Sequence, residues 1–228
     1  MCLMKNTLVR SFIIHARSYR ETSMIYDVLT SNCGLISILA KGIKKKKDRT
    51  CLQPTKELML SFTDSDFPIL TSYEPVQDSV QMNRNMLILI LYFNELIYRL
   101  IPRNEPYESV FTLYKDYIKK MSLLDNFSQG LILGFETNFL KEIGYELSMA
   151  DEGEGISTNV TYIYDYDKGF KINQNKNNKD TISGSSLNSL FNNDFESIKD
   201  IAIIRNIIRN IIKNISYGSS IKSYDFIN

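Results

Sequence analysis

The sequence predicts an α+β fold, with a small five-stranded β-barrel over residues 1–80 and a helical region over 81–228. Three observations predict it. Residues 7–74 carry short runs that alternate apolar and polar with a period of two, separated by turn residues. From about Gln81 the apolar period lengthens to three and four. Inside the helical region, residues 149–182 return to alternation and read as a small insert of strands and loops.

The strands follow in order. Leu8 to Ile14 is apolar and β-branched, and Ser23 to Thr30 alternates. Asn32-Cys33-Gly34 is a turn before Leu35 to Ala40. Leu58 to Phe62 and Ile69 to Tyr73 complete the five, with Thr63-Asp64-Ser65-Asp66 turning between them. Five short strands in so few residues fit an OB-like or an SH3-like barrel equally well. Helices are predicted over Met86–Ile101, stopped by Pro102, over Glu108–Met121, and over Phe127–Ile143, closed by Gly144. Ser185–Phe191 is a short helix, and Phe195–Ser216 a long one with isoleucines at 201, 204, 208, 211 and 215. In the insert, Asp151 to Gly155 reads as loop. Val160–Tyr166 and Phe170–Ile172 read as a hairpin, and Asn173–Asp180 as a polar mobile stretch.

Composition excludes several classes. A hydrophobic share of 43% and a charged share of 23% are those of an ordinary globular chain. The apolar run Met86–Phe93 falls far short of the ~20 residues that span a bilayer, and Met1–Arg10 lacks a signal-peptide core. Cys2, Cys33 and Cys51 are odd in number and scattered, so neither a disulfide framework nor a cysteine zinc site is expected. A soluble protein of the reducing cytosol, with no membrane partner, fits these facts.

The net charge of +1 hides a segregation. Residues 1–56 hold eleven Lys/Arg against three acids, a net of +8, whereas 57–80 hold five acids and no base. The basic excess peaks at Lys41, Lys44, Lys45, Lys46, Lys47 and Arg49, just after the third predicted strand. A field of this kind attracts polyanions, and lysines on flexible stems suit sequence-independent phosphate contact. Arg17 and Arg20 are expected in the loop between the first two strands, with Tyr19 as a base-stacking platform beside them. Arg205, Arg209 and Lys213, four apart on the last helix, make a second basic stripe, most simply its solvated face.

No catalytic constellation is present. His15 is the single histidine, with no arranged serine or second ligand beside it. Neither a P-loop nor a dinucleotide fingerprint occurs, and Asp165, Asp167 and Gly169 miss the calcium-loop spacing. The carboxylates of 57–80 are spread along strands and turns, unlike those of a metal-dependent nuclease. The sequence therefore predicts no enzyme, no metal and no cofactor.

An ordered set of motifs resembles the RecO family, bacterial mediators of recombination. Phe12-Ile13-Ile14-His15-Ala16-Arg17-Ser18-Tyr19-Arg20-Glu21-Thr22-Ser23 opens it, followed by Ala40-Lys41-Gly42 with the basic loop and by Leu52-Gln53-Pro54. Tyr92-Phe93-Asn94-Glu95-Leu96 with Arg99-Leu100 comes next, then Phe135-Glu136, Leu140 and Ile143-Gly144-Tyr145. Thr161-Tyr162, Lys168-Gly169-Phe170, Ser183-Gly184, Leu187 and Ile221-Lys222-Ser223 complete it, over nearly the whole chain.

The resemblance implies an N-terminal OB-fold DNA-binding domain and a helical C-terminal domain with a zinc-finger-like insert. It implies binding of single- and double-stranded DNA, strand annealing, and work with RecR in the RecFOR pathway of DNA damage repair. It also implies contact with the tail of single-stranded DNA-binding protein, indirect service to RecA, and a place at the nucleoid. Two departures stand out. Residues 151–180 contain no cysteine or histidine, so the insert is expected to hold no zinc. Leu133-Gly134 stands before Phe135-Glu136, where the family often carries the basic residues that help hold that tail. Contact with the tail would then fall to Leu131 and Phe135 with Lys119 and Lys120, or to Lys115 or Lys141. A different reading of the same chain is a non-enzymatic protein-interaction scaffold whose basic loop is incidental.

Overall fold

Strand periodicity in the first 76 residues produces one antiparallel sheet. In this computed structural model, which describes residues 8–76, 82–150, 155–175, 178, 180–218 and 220–227, the strands are β1 (Val9–Tyr19), β2 (Ser23–Thr30), β3 (Gly34–Ala40), β4 (Glu57–Phe62) and β5 (Leu70–Pro75). Their order is β3-β2-β1-β4-β5. The two edge strands approach at one end, where the Leu39 N–H donates to the Pro68 carbonyl at 2.8 Å beside a parallel bridge from Leu39 to Ile69. One face of the sheet is apolar, with Ile13, Tyr26, Val28, Ile38, Leu58 and Leu60 in a common core. The fold class is the predicted α+β.

β1 is longer than the sequence reading allowed, and the cause is a bulge. Ile13 pairs with Val28 but His15 pairs with Asp27, so one residue is inserted between them. A bulge shifts the alternation and re-aims the side chains beyond it. Ile13 faces the apolar core with Val28, while His15 lies on the opposite face with Asp27. Arg17 therefore sits in a strand rather than in a loop, and only Arg20 to Thr22 form the turn.

The chain divides into two compact units, Met1–Asn126 with Ile221–Asn228, and Phe127–Ser220. In the first, helices α1 (Arg84–Leu100) and α2 (Glu108–Met121) join the sheet. The Asn83 side chain accepts from the Met86 N–H at 3.0 Å and caps α1. On the sheet face away from the apolar core, Phe12 packs against Phe111 and Tyr114, with ring centroids 5.5 and 5.0 Å away. Tyr114 donates to Asn94 Oδ1 at 2.7 Å, linking the two helices inside the core. A 3₁₀ turn at Lys222–Phe226 closes this unit.

After α1 the chain meets the edge of β3. Leu35 and Arg103 form a parallel bridge, and the Asn104 N–H donates to the Leu35 carbonyl at 3.1 Å. Gly34 permits this approach: its φ is +70°, and a Cβ there would lie 1.7 Å from the Glu105 carbonyl oxygen. Cys51, in the loop after β3, is a free thiol.

The second unit holds α3 (Gln129–Glu142), β6 (Thr161–Asp165), β7 (Gly169–Ile172), β8 (Ile182–Ser183), α4 (Gly184–Phe191) and α5 (Ile201–Ile215). α3 ends in a Schellman motif at Gly144: Gly144 N–H donates to the Lys141 carbonyl at 3.0 Å and Tyr145 N–H to that of Leu140 at 2.7 Å. The predicted hairpin is β6-β7, and β8 adds a third strand on the far side of β6. The final helix starts later than predicted, because Phe195–Ser197 is a separate 3₁₀ turn. The loop read over Asp151–Glu154 lies outside the described residues, as does part of the stretch at 173–180.

Arg205 corrects the reading of that helix as bearing a solvated basic stripe. It is only 5% exposed and points at Glu136 of α3, which is 0% exposed. Two N–H···O contacts of 3.4 Å join them, and Gln129 Oε1 accepts a further bond from Arg205 Nη1. No described helix is long and apolar enough to cross a membrane.

Candidate nucleic-acid interface

The basic run leaves β3 through a turn that only a permissive backbone makes easily. Gly42 adopts φ +66° with nothing within 4 Å of a Cβ position. The buried side chain of Ile43 then drops into the sheet core and pins the loop from below. Two short 3₁₀ turns follow, Ile43–Lys45 and Lys47–Cys51, with Lys46 extended between them.

Lys44 fastens this loop to the β1–β2 turn. Its N–H donates to the Thr22 carbonyl and its Nζ to the Arg20 carbonyl, both at 3.0 Å. Arg49 turns back and donates from Nη1 to the Lys44 carbonyl at 2.9 Å. Lys46 Nζ stands 5.4 Å from the centre of the Tyr73 ring on β5, and Arg20 covers Tyr19 at 5.3 Å. Lys41, Lys45 and Lys47 are exposed, and their side chains make no hydrogen bond or ion pair among the described residues.

The predicted residues thus divide. Arg20 and Lys41 to Arg49 form one basic patch, with Tyr19 at its margin. Arg17 lies outside the loop, on the outer face of β1 two residues before Tyr19, where its Nη1 donates to Asp27 Oδ2 at 2.7 Å. Asp27 is fully buried and also takes bonds from Arg103 Nη1 at 2.8 Å and from Ser37 at 2.5 Å. His15 Nδ1 lies 3.3 Å from the same carboxylate. Burial alone would raise the Asp27 pKa, but the Ser37 hydroxyl and the Arg103 and Arg17 guanidiniums outweigh it and hold the carboxyl below its ordinary value. Sequence reasoning missed Asp27 and Arg103. An acid in an otherwise apolar strand was the signal that marked Asp27, whereas nothing in the sequence places Arg103 over β3.

The residues named for partner contact fare differently. Leu131 and Phe135 are 2% and 0% exposed, so both belong to the core of their unit and offer no docking surface there. Lys119 and Lys120 are exposed at the end of α2. Lys115 lies 3.6 Å from Glu57, and Lys141 pairs with Glu146 at 2.8 Å.

The family model described as recombination protein O N terminal matches residues 4–78, and the one described as recombination protein O C terminal matches 82–216. The chain is 34% identical to a protein of Hamiltonella defensa over 79% of its own length and 80% of the relative's. It is 28% identical to one of Pectobacterium atrosepticum, over 94% and 89% of the two chains. For one of Mannheimia succiniciproducens the identity is 32%, over 80% and 82%. All three relatives carry the description DNA repair protein RecO. With both family models matched in order and these relatives aligned over most of their length, the chain belongs to the RecO family.

Proposed function

We propose that the chain is a non-enzymatic mediator of DNA repair and homologous recombination that binds single- and double-stranded DNA through the patch formed by Arg20, the lysine loop and Tyr19. With RecR it would anneal strands and help load RecA onto DNA coated by single-stranded DNA-binding protein, in the cytoplasm at the nucleoid. The role in repair and recombination comes with the family. One observation carries the DNA contact: Lys44 ties the lysine loop to the β1–β2 turn, so Arg20, Lys41, Lys45 and Lys47 present their charge together. Such a patch neutralises backbone phosphates without reading bases.

The test is the affinity of the full chain for an oligo-dT strand and for a duplex across a range of sodium chloride. Replacing Lys44–Lys47 together with alanine should flatten the slope of log affinity against log salt, by roughly 0.7 per single-strand phosphate lost. An unchanged slope removes the loop from the interface. Failure of the wild-type chain to bind either DNA at physiological salt would favour the scaffold reading.

A further inference from the structure

Arg17 and Arg103 come from segments 86 residues apart and close on the two oxygens of one buried carboxylate, Asp27. A single cation would neutralise Asp27. Here two guanidiniums share it, so the cluster keeps a positive surplus. That surplus faces outward: the Arg17 and Arg103 side chains are 42% and 36% exposed, against 0% for Asp27. Each bond to Asp27 uses Nη1 and leaves Nε and Nη2 for a ligand. Guanidinium forks held this way match the oxygens of a phosphate.

We propose that Arg17 and Arg103 form a second phosphodiester contact of the nucleic-acid interface, and that Asp27 is the residue that positions them. The proposal rests on the reading that the chain binds DNA, and extends it to residues outside the lysine loop.

Three features support it. First, both arginines are held from behind. The bulge in β1 turns Arg17 to the outer face, and the bridge between Leu35 and Arg103 fixes the other backbone. Tyr98 stacks under Arg103 at 4.9 Å and touches His15 at 4.9 Å, so less side-chain freedom remains to be lost on binding. Secondly, the site is continuous with the patch already described. Arg17 and Tyr19 alternate on the outer face of β1, about 6–7 Å apart by strand geometry, and Arg20 with the lysine loop lies just beyond. Thirdly, there is room for the neighbouring nucleotide. A groove of about 300 Å³ opens beside His15 and Tyr98, lined also by Leu91, Lys222 and the Glu95–Arg99 ion pair. Asn94, 3% exposed, also lines it, and its Nδ2 has no hydrogen-bond partner.

The experiment uses the full chain and an oligo-dT strand, with wild type and the lysine-loop variant run in parallel. Arg103→Gln should lose one phosphate contact, lowering the salt slope by about 0.7. Arg103→Lys keeps the charge but loses the fork, and should weaken binding about tenfold. Asp27→Asn removes a negative charge; a mere effect of potential would tighten binding, whereas loss of positioning should weaken it. Urea unfolding of each variant separates folding from binding. The Arg103 variants decide the matter if Asp27→Asn does not fold. Wild type that binds DNA while both Arg103 variants keep its slope and affinity overturns this inference alone. Wild type that does not bind overturns the underlying reading as well.

Discussion

The Glu95 carboxylate of α1 holds Ser223, 128 residues away, by two hydrogen bonds. Glu95 Oε2 accepts from the Ser223 N–H at 2.8 Å and from its hydroxyl at 2.6 Å. Oε1 accepts from the Lys222 N–H at 3.1 Å and from Arg99 at 2.8 Å. The two segments are Asn94-Glu95-Leu96 and Ile221-Lys222-Ser223, two of the motifs on which the resemblance was drawn, and here they form an internal joint. Replacing Ser223 with alanine should cost about 1–3 kcal/mol, because a charged acceptor loses a short bond in a half-buried site. Urea unfolding measures it, and a midpoint unchanged from wild type would contradict the joint.

Acid should release the same joint. Burial favours the neutral form of Glu95, yet the hydrogen bonds from Ser223 and Lys222 outweigh it and hold the carboxyl below its ordinary value. Asp27 and Asp200 are held low as well, the latter by Ser183 against its own burial. A carboxyl with a depressed folded pKa adds stability above its unfolded value, near pH 4, and that stability is lost as pH falls through the folded value. Unfolding free energy should therefore change little from these groups between pH 5 and 7 and drop below about pH 4. Glu95→Gln should be less stable at pH 7 and show a shallower acid limb. An equally steep limb would mean that Glu95 takes no part.

Glu136 and Arg205 make the corresponding joint in the second unit. Their side chains are 0% and 6% exposed, so neither charge can turn to water if its partner is removed. Glu136→Ala or Arg205→Ala alone should cost about 3–5 kcal/mol, while replacing both with apolar residues of similar volume should cost far less. Guanidinium chloride unfolding of the two single variants and the Glu136→Leu, Arg205→Met double variant tests this. Additive losses would show that the pair is not coupled.

These joints show where the sequence was legible. α2 occupies the residues read for it, and α1 and α3 differ only at their ends, because their apolar stripes and end signals are local. The run of β1 past Ile14 was not legible, because a one-residue bulge breaks the alternation on which the reading relies. His15, Arg17 and Arg20 then look like a polar loop. The basic stripe on α5 failed for another reason. A spacing of four fixes a face but does not say what covers it, and Arg205 has Ile201, Ile204 and Ile208 around it on the helix. The usable signal was a matching acid, Glu136, alone in the apolar run of α3. The lysine loop was legible as charge, but its attachment to Arg20 depends on carbonyls, which no side-chain pattern reports.

That attachment separates the four lysines. Lys44 is half-buried, with Nζ on the Arg20 carbonyl, and Lys46 leans on Tyr73. Lys45 and Lys47 are exposed with unengaged side chains. If the loop works by contact, Lys45→Ala and Lys47→Ala should each lower the salt slope by about 0.7 for single-stranded DNA and leave the unfolding midpoint unchanged. Lys44→Ala should act differently. It removes the Nζ bond to Arg20 and leaves the backbone bond to Thr22, so affinity should fall with a partial loss of order in the Arg20–Thr22 turn, seen as faster amide exchange there. If instead the loop only raises the local potential, all four single variants should weaken binding by similar amounts. Salt titration of the four variants therefore separates contact from field, and amide exchange at the turn shows how much of the Lys44 effect comes from its bond to Arg20.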